Sequence, residues 1–283
     1  MAGEFLRPAD IKEAIALLHQ DEERASIVGG GIEIVLGRSP AAERLIDLSR
    51  LGLSYIVERK EGLVIGATTT IAQIIENPLT ARFLNKVIVE GLRQVGSPLI
   101  RNLATIGGAI ARAHPWSDVT TLFLALGGTM VIHDGEEERT LSLSALYERG
   151  FRRRLAQMII TEIILPSPPA GAAAVFIKFS RTAFDIALLN CACFIFRPHD
   201  CIEQARIIIG ARPQHSVPVS AVEEFLAGRD LTDSTIREAA MIGRETVHTA
   251  DDIRTGKEYR KTLVAAGIRR TLTQIMHQWN KER

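Results

Sequence analysis

Apolar residues first recur at helical spacing at Ile11, Ala14, Ile15 and Leu18, an i, i+3, i+4, i+7 stripe opened by Pro8-Ala9-Asp10. That pattern predicts a helix with one inward face. Short aliphatic and β-branched runs then predict strands at 25–28, 44–48 and 63–67. Thr68-Thr69-Thr70 offers capping hydroxyls for a helix running to Glu76, where Asn77-Pro78 stops it. Residues 79–95 read as one longer amphipathic helix. Residues 118–126 read as another, ended by Gly127-Gly128, with strands at 129–133 and 158–165.

Pro166-Ser167-Pro168-Pro169-Ala170-Gly171 interrupts this pattern and marks a domain boundary. Beyond it come strand-like runs at 172–179, 186–196 and 205–210, then helical segments at 219–227, 233–248 and 257–277. Strands first and helices second argue for an α+β C-terminal domain. The expected organisation is a first domain over 1–168 and a second over 169–283. The pattern holds no internal repeat, coiled coil or low-complexity tail.

Composition narrows the function classes. With 283 residues, the chain can build two domains with real cores. Its 34 basic and 33 acidic residues give no overall bias toward nucleic acid or an anionic membrane. The longest apolar runs fall far short of a bilayer span, and Met1 to Pro8 carries no signal-peptide core, so a cytoplasmic protein is expected. Cys191, Cys193 and Cys201 are odd in number and clustered, unlike a secreted disulfide framework. Cys191 and Cys193 share one face of a strand-like run and read as buried free thiols. Three cysteines cannot supply a four-cysteine iron–sulfur site, so any such cluster must come from a partner.

Two glycine-rich turns carry the chemistry, Gly29-Gly30-Gly31 and Thr105-Ile106-Gly107-Gly108. Such turns bare consecutive backbone N–H groups and let a phosphate approach closely. Either one alone reads equally as a tight turn or as an anion cradle. Together they suggest an extended diphosphate, as in a dinucleotide. Neither is a Rossmann fingerprint: Ile34 occupies the third glycine position, and no helix-start signal marks 32–36. The second turn fits no better, and a Walker phosphate loop is absent.

The order of motifs resembles the flavin-binding medium subunits of the molybdenum hydroxylases, the family of xanthine dehydrogenase and carbon monoxide dehydrogenase. Phe5-Leu6-Arg7-Pro8 and the following helix resemble the family's opening. Val28-Gly29-Gly30-Gly31-Ile32-Glu33-Ile34 stands at its first flavin-diphosphate loop. The segment from Val95-Gly96-Ser97-Pro98 through Arg101-Asn102-Leu103-Ala104-Thr105-Ile106-Gly107-Gly108 is similar to the second and is the most specific match. Pro115-Trp116-Ser117-Asp118 continues it. Lys178-Phe179-Ser180-Arg181 through Asp185-Ile186-Ala187, and Asp252-Ile253-Arg254 with Tyr259-Arg260, resemble its C-terminal domain.

The resemblance implies an α+β fold, with a two-subdomain FAD-binding domain of the vanillyl-alcohol-oxidase type, split near residue 57, and a small C-terminal domain. Val28 to Ile34 and Thr105, Ile106, Gly107 and Gly108 would hold the diphosphate through backbone donors, with Val95 and Ala109 in the same motif. Asp118 would accept from flavin or ribose hydroxyls, or serve as a helix N-cap. Ile160 would lie against the adenine or simply fill strand core. Lys178 would stand near the nucleotide end or be a solvated strand lysine. Arg181 and Asp185 would edge the flavin ring or form a surface ion pair.

The implied activity is electron relay. A molybdenum-cofactor large subunit oxidises substrate, an iron–sulfur small subunit carries electrons, and FAD passes them to NAD⁺ or another acceptor. No residue of this chain need act as general acid or base, and His114 and His133 read as structural. Three departures stand out: Gly31 and Ala109 replace polar side chains common in relatives, and 146–157, with Arg149, Arg152, Arg153 and Arg154, looks shorter and more basic. Two other classes stay open, a stand-alone FAD oxidoreductase and a scaffold subunit that has lost its flavin.

Overall fold

The computed structural model describes residues 4–20, 25–35 and 43–282. They form two compact units that interleave along the chain. The first comprises 1–79, 97–112 and 127–166, and the second 80–96, 113–126 and 167–283. The proline cluster lies where the last segment of the first unit gives way to the second.

The first unit holds two sheets. Strands β1 (Glu4–Leu6), β2 (Ala25–Val28) and β3 (Arg44–Asp47) form a parallel sheet with β3 in the middle. The stripe predicted from 11 to 18 becomes helix Ile11–Gln20. It buries Ala14, Ile15 and Leu18 in a cluster with Ile46, Leu48 and Ile159. Strands β4 (Ile56–Arg59), β5 (Gly62–Gly66), β6 (Thr129–His133), β7 (Glu138–Ser142) and β8 (Ile159–Leu165) make an antiparallel sheet in the order β4-β5-β8-β6-β7. Ile159 belongs to this second sheet, so one cluster ties it to the first. Thr70 caps helix Ile71–Glu76 in a reciprocal box: its hydroxyl accepts from the Gln73 N–H, and its own N–H donates to Gln73.

In the second unit, β9 (Ala172–Phe179), β10 (Leu189–Phe196), β11 (Gln204–Gly210) and β12 (Val217–Pro218) pair antiparallel in the order β12-β11-β10-β9. Cys191, Cys193 and Ile195 of β10 pack with Val264, Ile268, Leu272 and Ile275 of helix Lys257–Glu282. On the opposite face, Asn190 meets Thr121 of helix Asp118–Ala125. Burial on both faces explains why β10 reads as a nearly unbroken apolar run. Burial pushes the Cys191 thiol up to about 12 and Cys193 well above its ordinary value, so both stay protonated.

The helix expected over 79–95 is broken. Helices Pro78–Arg82 and Val87–Leu92 are separated by Leu84, Asn85 and Lys86, at φ of 40°, 52° and 69°. Three successive left-handed residues cannot continue a right-handed helix. The run 32–36, which carried no helix-start signal, in fact begins with the one-turn helix Ile32–Val35. Helix Pro98–Leu103 precedes the second glycine turn, and Ile106, Gly107 and Gly108 of that turn form the start of helix Ile106–Arg112, where the pattern predicts neither helix. For the first of these the signal was present: Ser97 caps it and Pro98 takes the first helical position.

Arg260, fully buried, fixes the C-terminal loop of the second unit. Its guanidinium donates to the Leu188, Ala250 and Thr255 carbonyls and lies 2.8 Å from Asp252 Oδ1. Burial raises the Asp252 pKa, but hydrogen bonds from Arg254 and Arg260 outweigh it and leave the carboxyl well below its usual range. Arg260→Met should therefore cost about 3–5 kcal/mol in urea unfolding, because it orphans the Leu188, Ala250 and Thr255 carbonyls and leaves Asp252 with Arg254 as its one guanidinium partner. A depressed carboxyl contributes stability that is complete above its unfolded pKa and lost as pH falls through the folded one. The gap between wild type and variant should narrow as pH drops below about 4. A constant gap from pH 7 to pH 2 would contradict this.

Candidate functional site

Strand β2 ends at Val28 beside Asp47, its partner on β3, and the chain turns through Gly29, Gly30 and Gly31 at the carboxyl edge of a parallel sheet. That edge is where open parallel sheets place their ligands. Gly31 has φ +72°, a conformation that glycine adopts without strain. Ile32–Val35 follows at once, so its first-turn N–H groups face the same opening.

The second turn abuts the first. A Cβ on Gly29 would stand 2.5 Å from Thr105 Oγ1, and one on Gly30 would collide with the Leu103 carbonyl. The two motifs, 74 positions apart at Gly31 and Thr105, thus meet inside the first unit, Gly29 against the Thr105 side chain and Gly30 against the Leu103 backbone. Among the described residues, the Gly29, Gly30 and Gly31 N–H groups donate to no protein acceptor. That leaves a cradle of bare donors where a side chain would intrude, which fits a diphosphate.

The second turn supplies fewer donors than the sequence suggested. The Ile106 N–H bonds the Thr69 carbonyl at 3.0 Å, and the Gly107 N–H bonds the Ala67 carbonyl at 2.9 Å. Thr70 and Thr105 form a bridge beside them. Gly107 is glycine for packing, since a Cβ there would stand 2.7 Å from the Ala67 Cβ. Ile106 and Gly107 are therefore corrected from phosphate donors to anchors of the turn. The Thr105 hydroxyl remains at the opening, accepting only a long 3.3 Å bond from the exposed Gly108 N–H. Ala109 continues the helix, its N–H on the Thr105 carbonyl. Ile160 is buried in β8, next to Thr161, whose carbonyl takes the Ala67 N–H.

Glu33 and Arg112 form an ion pair at 3.4 Å, and Arg152 donates to the Arg112 carbonyl at 2.5 Å. Sequence reasoning did not foresee either contact.

Two other expected site residues, Asp118 and Lys178, come together in the second unit. Lys178 Nζ lies 3.0 Å from Asp118 Oδ2 and donates at 2.8 Å to the carbonyl of Gln94, the residue before Val95. Asn190 donates to Asp118 Oδ1 at 2.8 Å and accepts from Thr121, whose hydroxyl also pairs with Ser216. Side-chain exposure is 3% for Lys178 and 7% for Asp118, which rules out a solvated lysine. Burial pushes the Asp118 pKa up, while Lys178 and Asn190 pull it back. Asp118 is not the helix N-cap, because Ser117 fills that place and accepts from the Thr120 N–H. Each Asp118 oxygen already meets a protein donor, so a ligand hydroxyl would add to these bonds rather than find a free carboxylate. Arg181 and Asp185 form an exposed ion pair at 2.8 Å.

The histidines have structural places. His114 stacks on Trp116 at 4.7 Å, and His133 Nδ1 accepts from the Gly135 N–H. No group of three or more metal-ligating side chains occurs among the described residues. No helix there is long and apolar enough to cross a membrane.

Residues 1–168 match the family model described as the FAD binding domain in molybdopterin dehydrogenase. The chain belongs to that family. Residues 174–275 match the carbon monoxide dehydrogenase flavoprotein C-terminal domain. The medium subunit of nicotine 6-hydroxylase from Paenarthrobacter nicotinovorans is 29% identical, with 95% of this chain and 96% of the relative covered. The nicotinate dehydrogenase FAD-subunit of Eubacterium barkeri is 28% identical, at 97% and 96% coverage. Among solved structures, a chain of carbon monoxide dehydrogenase from Hydrogenophaga pseudoflava superposes with a TM-score of 0.90 at 26% identity, covering 96% of both chains. This molybdopterin-dehydrogenase flavoprotein is thus an FAD-binding oxidoreductase subunit with the α+β fold of the carbon monoxide dehydrogenase medium chain.

The buried pair gives a test of its own. Asp118→Asn and Lys178→Met should each cost about 3–5 kcal/mol in denaturant unfolding, since each leaves a buried charge without its counter-ion. The double variant should lose less than the sum of the two. Additive losses would show that the charges do not depend on each other.

Proposed function

We propose that this chain holds FAD as the electron outlet of a three-part molybdenum hydroxylase. A companion molybdenum-cofactor subunit oxidises the substrate, and an iron–sulfur companion delivers electrons through 2Fe–2S clusters. NAD⁺ or another acceptor takes them from the flavin. The observation that carries this reading is the cradle of bare Gly29–Gly31 donors pressed against Thr105, in a chain of an FAD-binding family. The names of the relatives, medium subunit and FAD-subunit of hydroxylating or dehydrogenating enzymes, support it.

When bound, FAD supplies the redox chemistry, accepting electrons and passing them on in pairs. The protein's part is binding and orientation. In this reading the Gly29, Gly30 and Gly31 N–H groups, with the following turn over Ile32, Glu33 and Ile34, receive one phosphate through bare backbone donors. The Thr105 hydroxyl and the Gly108 N–H receive the other. Val28 and Ala109 form the walls, and Ile160 underlies the adenine. In the second unit, Asp118 keeps lone pairs open beyond its bonds to Lys178 and Asn190, and Val95 follows the Gln94 carbonyl that Lys178 holds.

Neither turn contains a histidine or cysteine that could tether the flavin. Purified chain should carry FAD in a one-to-one ratio, and acid precipitation should release it intact. Flavin left in the protein pellet, or FMN in the supernatant, would overturn this assignment.

The chain should also be dependent on its companions. Alone it should bind FAD and show at most slow transfer from NADH to a dye. Oxidation of purines, aldehydes or carbon monoxide should appear only after the molybdenum and iron–sulfur subunits are added. Rapid turnover of any of these by the metal-free chain would replace the relay with a stand-alone enzyme.

A further inference from the structure

Glu33 is an odd neighbour for a diphosphate. It lies two residues past Gly31, in the single turn Ile32–Val35, where its negative charge stands beside the bare donors read as the diphosphate cradle. Unopposed, it would repel the ligand. It is not unopposed: Arg112 Nη2 lies 3.4 Å from its Oε2, with side-chain exposures of 37% and 24%. Arg112 ends the helix that opens at Ile106, directly after Thr105. The ion pair therefore joins the helix behind the first glycine turn to the helix behind the second. Arg152, in helix Phe151–Leu155, then donates to the Arg112 carbonyl, satisfying an end-of-helix acceptor. That helix is seated by buried Phe151 and Leu155.

We propose that Arg112 is a positioning residue, and that the Glu33–Arg112–Arg152 chain clasps the two glycine turns together and sets how long FAD stays bound. The proposal rests on the reading of these turns as the FAD diphosphate site. Arg112 cancels the charge of Glu33 and uses that carboxylate as a handle to hold the first turn against Thr105. Glu33 then aids FAD through Arg112, although its charge alone acts against FAD.

The sign of one substitution decides the matter. Glu33→Gln removes a negative charge beside the diphosphate. If Glu33 acted by charge alone, FAD would leave more slowly. If the clasp holds, FAD leaves faster, by roughly two- to fivefold as expected for a half-exposed ion pair. Release is read on the full-length chain by recovery of flavin fluorescence after dilution, alongside its thermal midpoint without flavin. Arg112→Gln should match Glu33→Gln, and the double variant should be no faster than either single one. Raising KCl should speed release from the wild type and leave the double variant nearly unchanged. Arg112→Lys, which keeps the charge but loses the planar fork, should fall between and guards against a variant that fails to fold.

Slower or unchanged release from Glu33→Gln, or additive effects in the double variant, would overturn the clasp while leaving the FAD site standing. So would a rate change fully matched by a lowered midpoint. A wild-type chain that takes up no FAD would overturn both.

Discussion

The candidate site depends on one steric constraint, the approach of Gly30 to the backbone at Leu103 and Ala104 and of Gly29 to the Thr105 side chain. No side chain fits between these segments. A methyl group on Gly30 would occupy the place of the Leu103 carbonyl. The absence of two Cβ atoms lets the edge of the first sheet meet the link between helices Pro98–Leu103 and Ile106–Arg112, with bare N–H groups on one side and a hydroxyl on the other. Gly107 repeats the device one layer down, against Ala67. The glycines are thus both packing residues and part of an anion site, because the same missing atoms serve both ends.

Regular, locally encoded elements could be read from the chain. The 11–18 stripe, the capping threonine before Ile71, the strand 129–133 and the stop at Gly127-Gly128 rest on nearest-neighbour chemistry, and the structure contains each of them. The family was also readable, because its motifs occur in order along the chain. Elements set by distant partners were not. Nothing at Leu84 announces a left-handed backbone, since tertiary packing there overrides helical periodicity. The turn at Ile32–Val35 is too short, and too rich in β-branched residues, to show a helical signature.

The site was readable in its residue types more than in their roles. Sequence pattern singled out Gly107 and Asp118, but it could not show that the Gly107 N–H pairs with Ala67 or that Lys178 meets Asp118. Both facts depend on which strand lies alongside. The link from Glu33 to Arg112 spans 79 positions and leaves no local trace. Pairings of this length become visible only when the sheets are assembled.

The interleaved layout also bears on how the polypeptide is made. Residues 80–96 and 113–126 leave the ribosome early, yet the sheet they pack on, β9 to β12, is encoded only from residue 172 onward. Helix Asp118–Ala125 buries Val119, Leu122 and Phe123 once that sheet exists. Until then those side chains have no native cover, so the nascent chain carries sticky surface for dozens of residues of synthesis. The first unit, too, is closed only by β8, after both inserted segments have emerged. A chain cut after the proline cluster would keep every residue of the glycine turns while stranding two apolar helices from their sheet. The boundary most visible in the sequence is therefore a poor place to divide the protein.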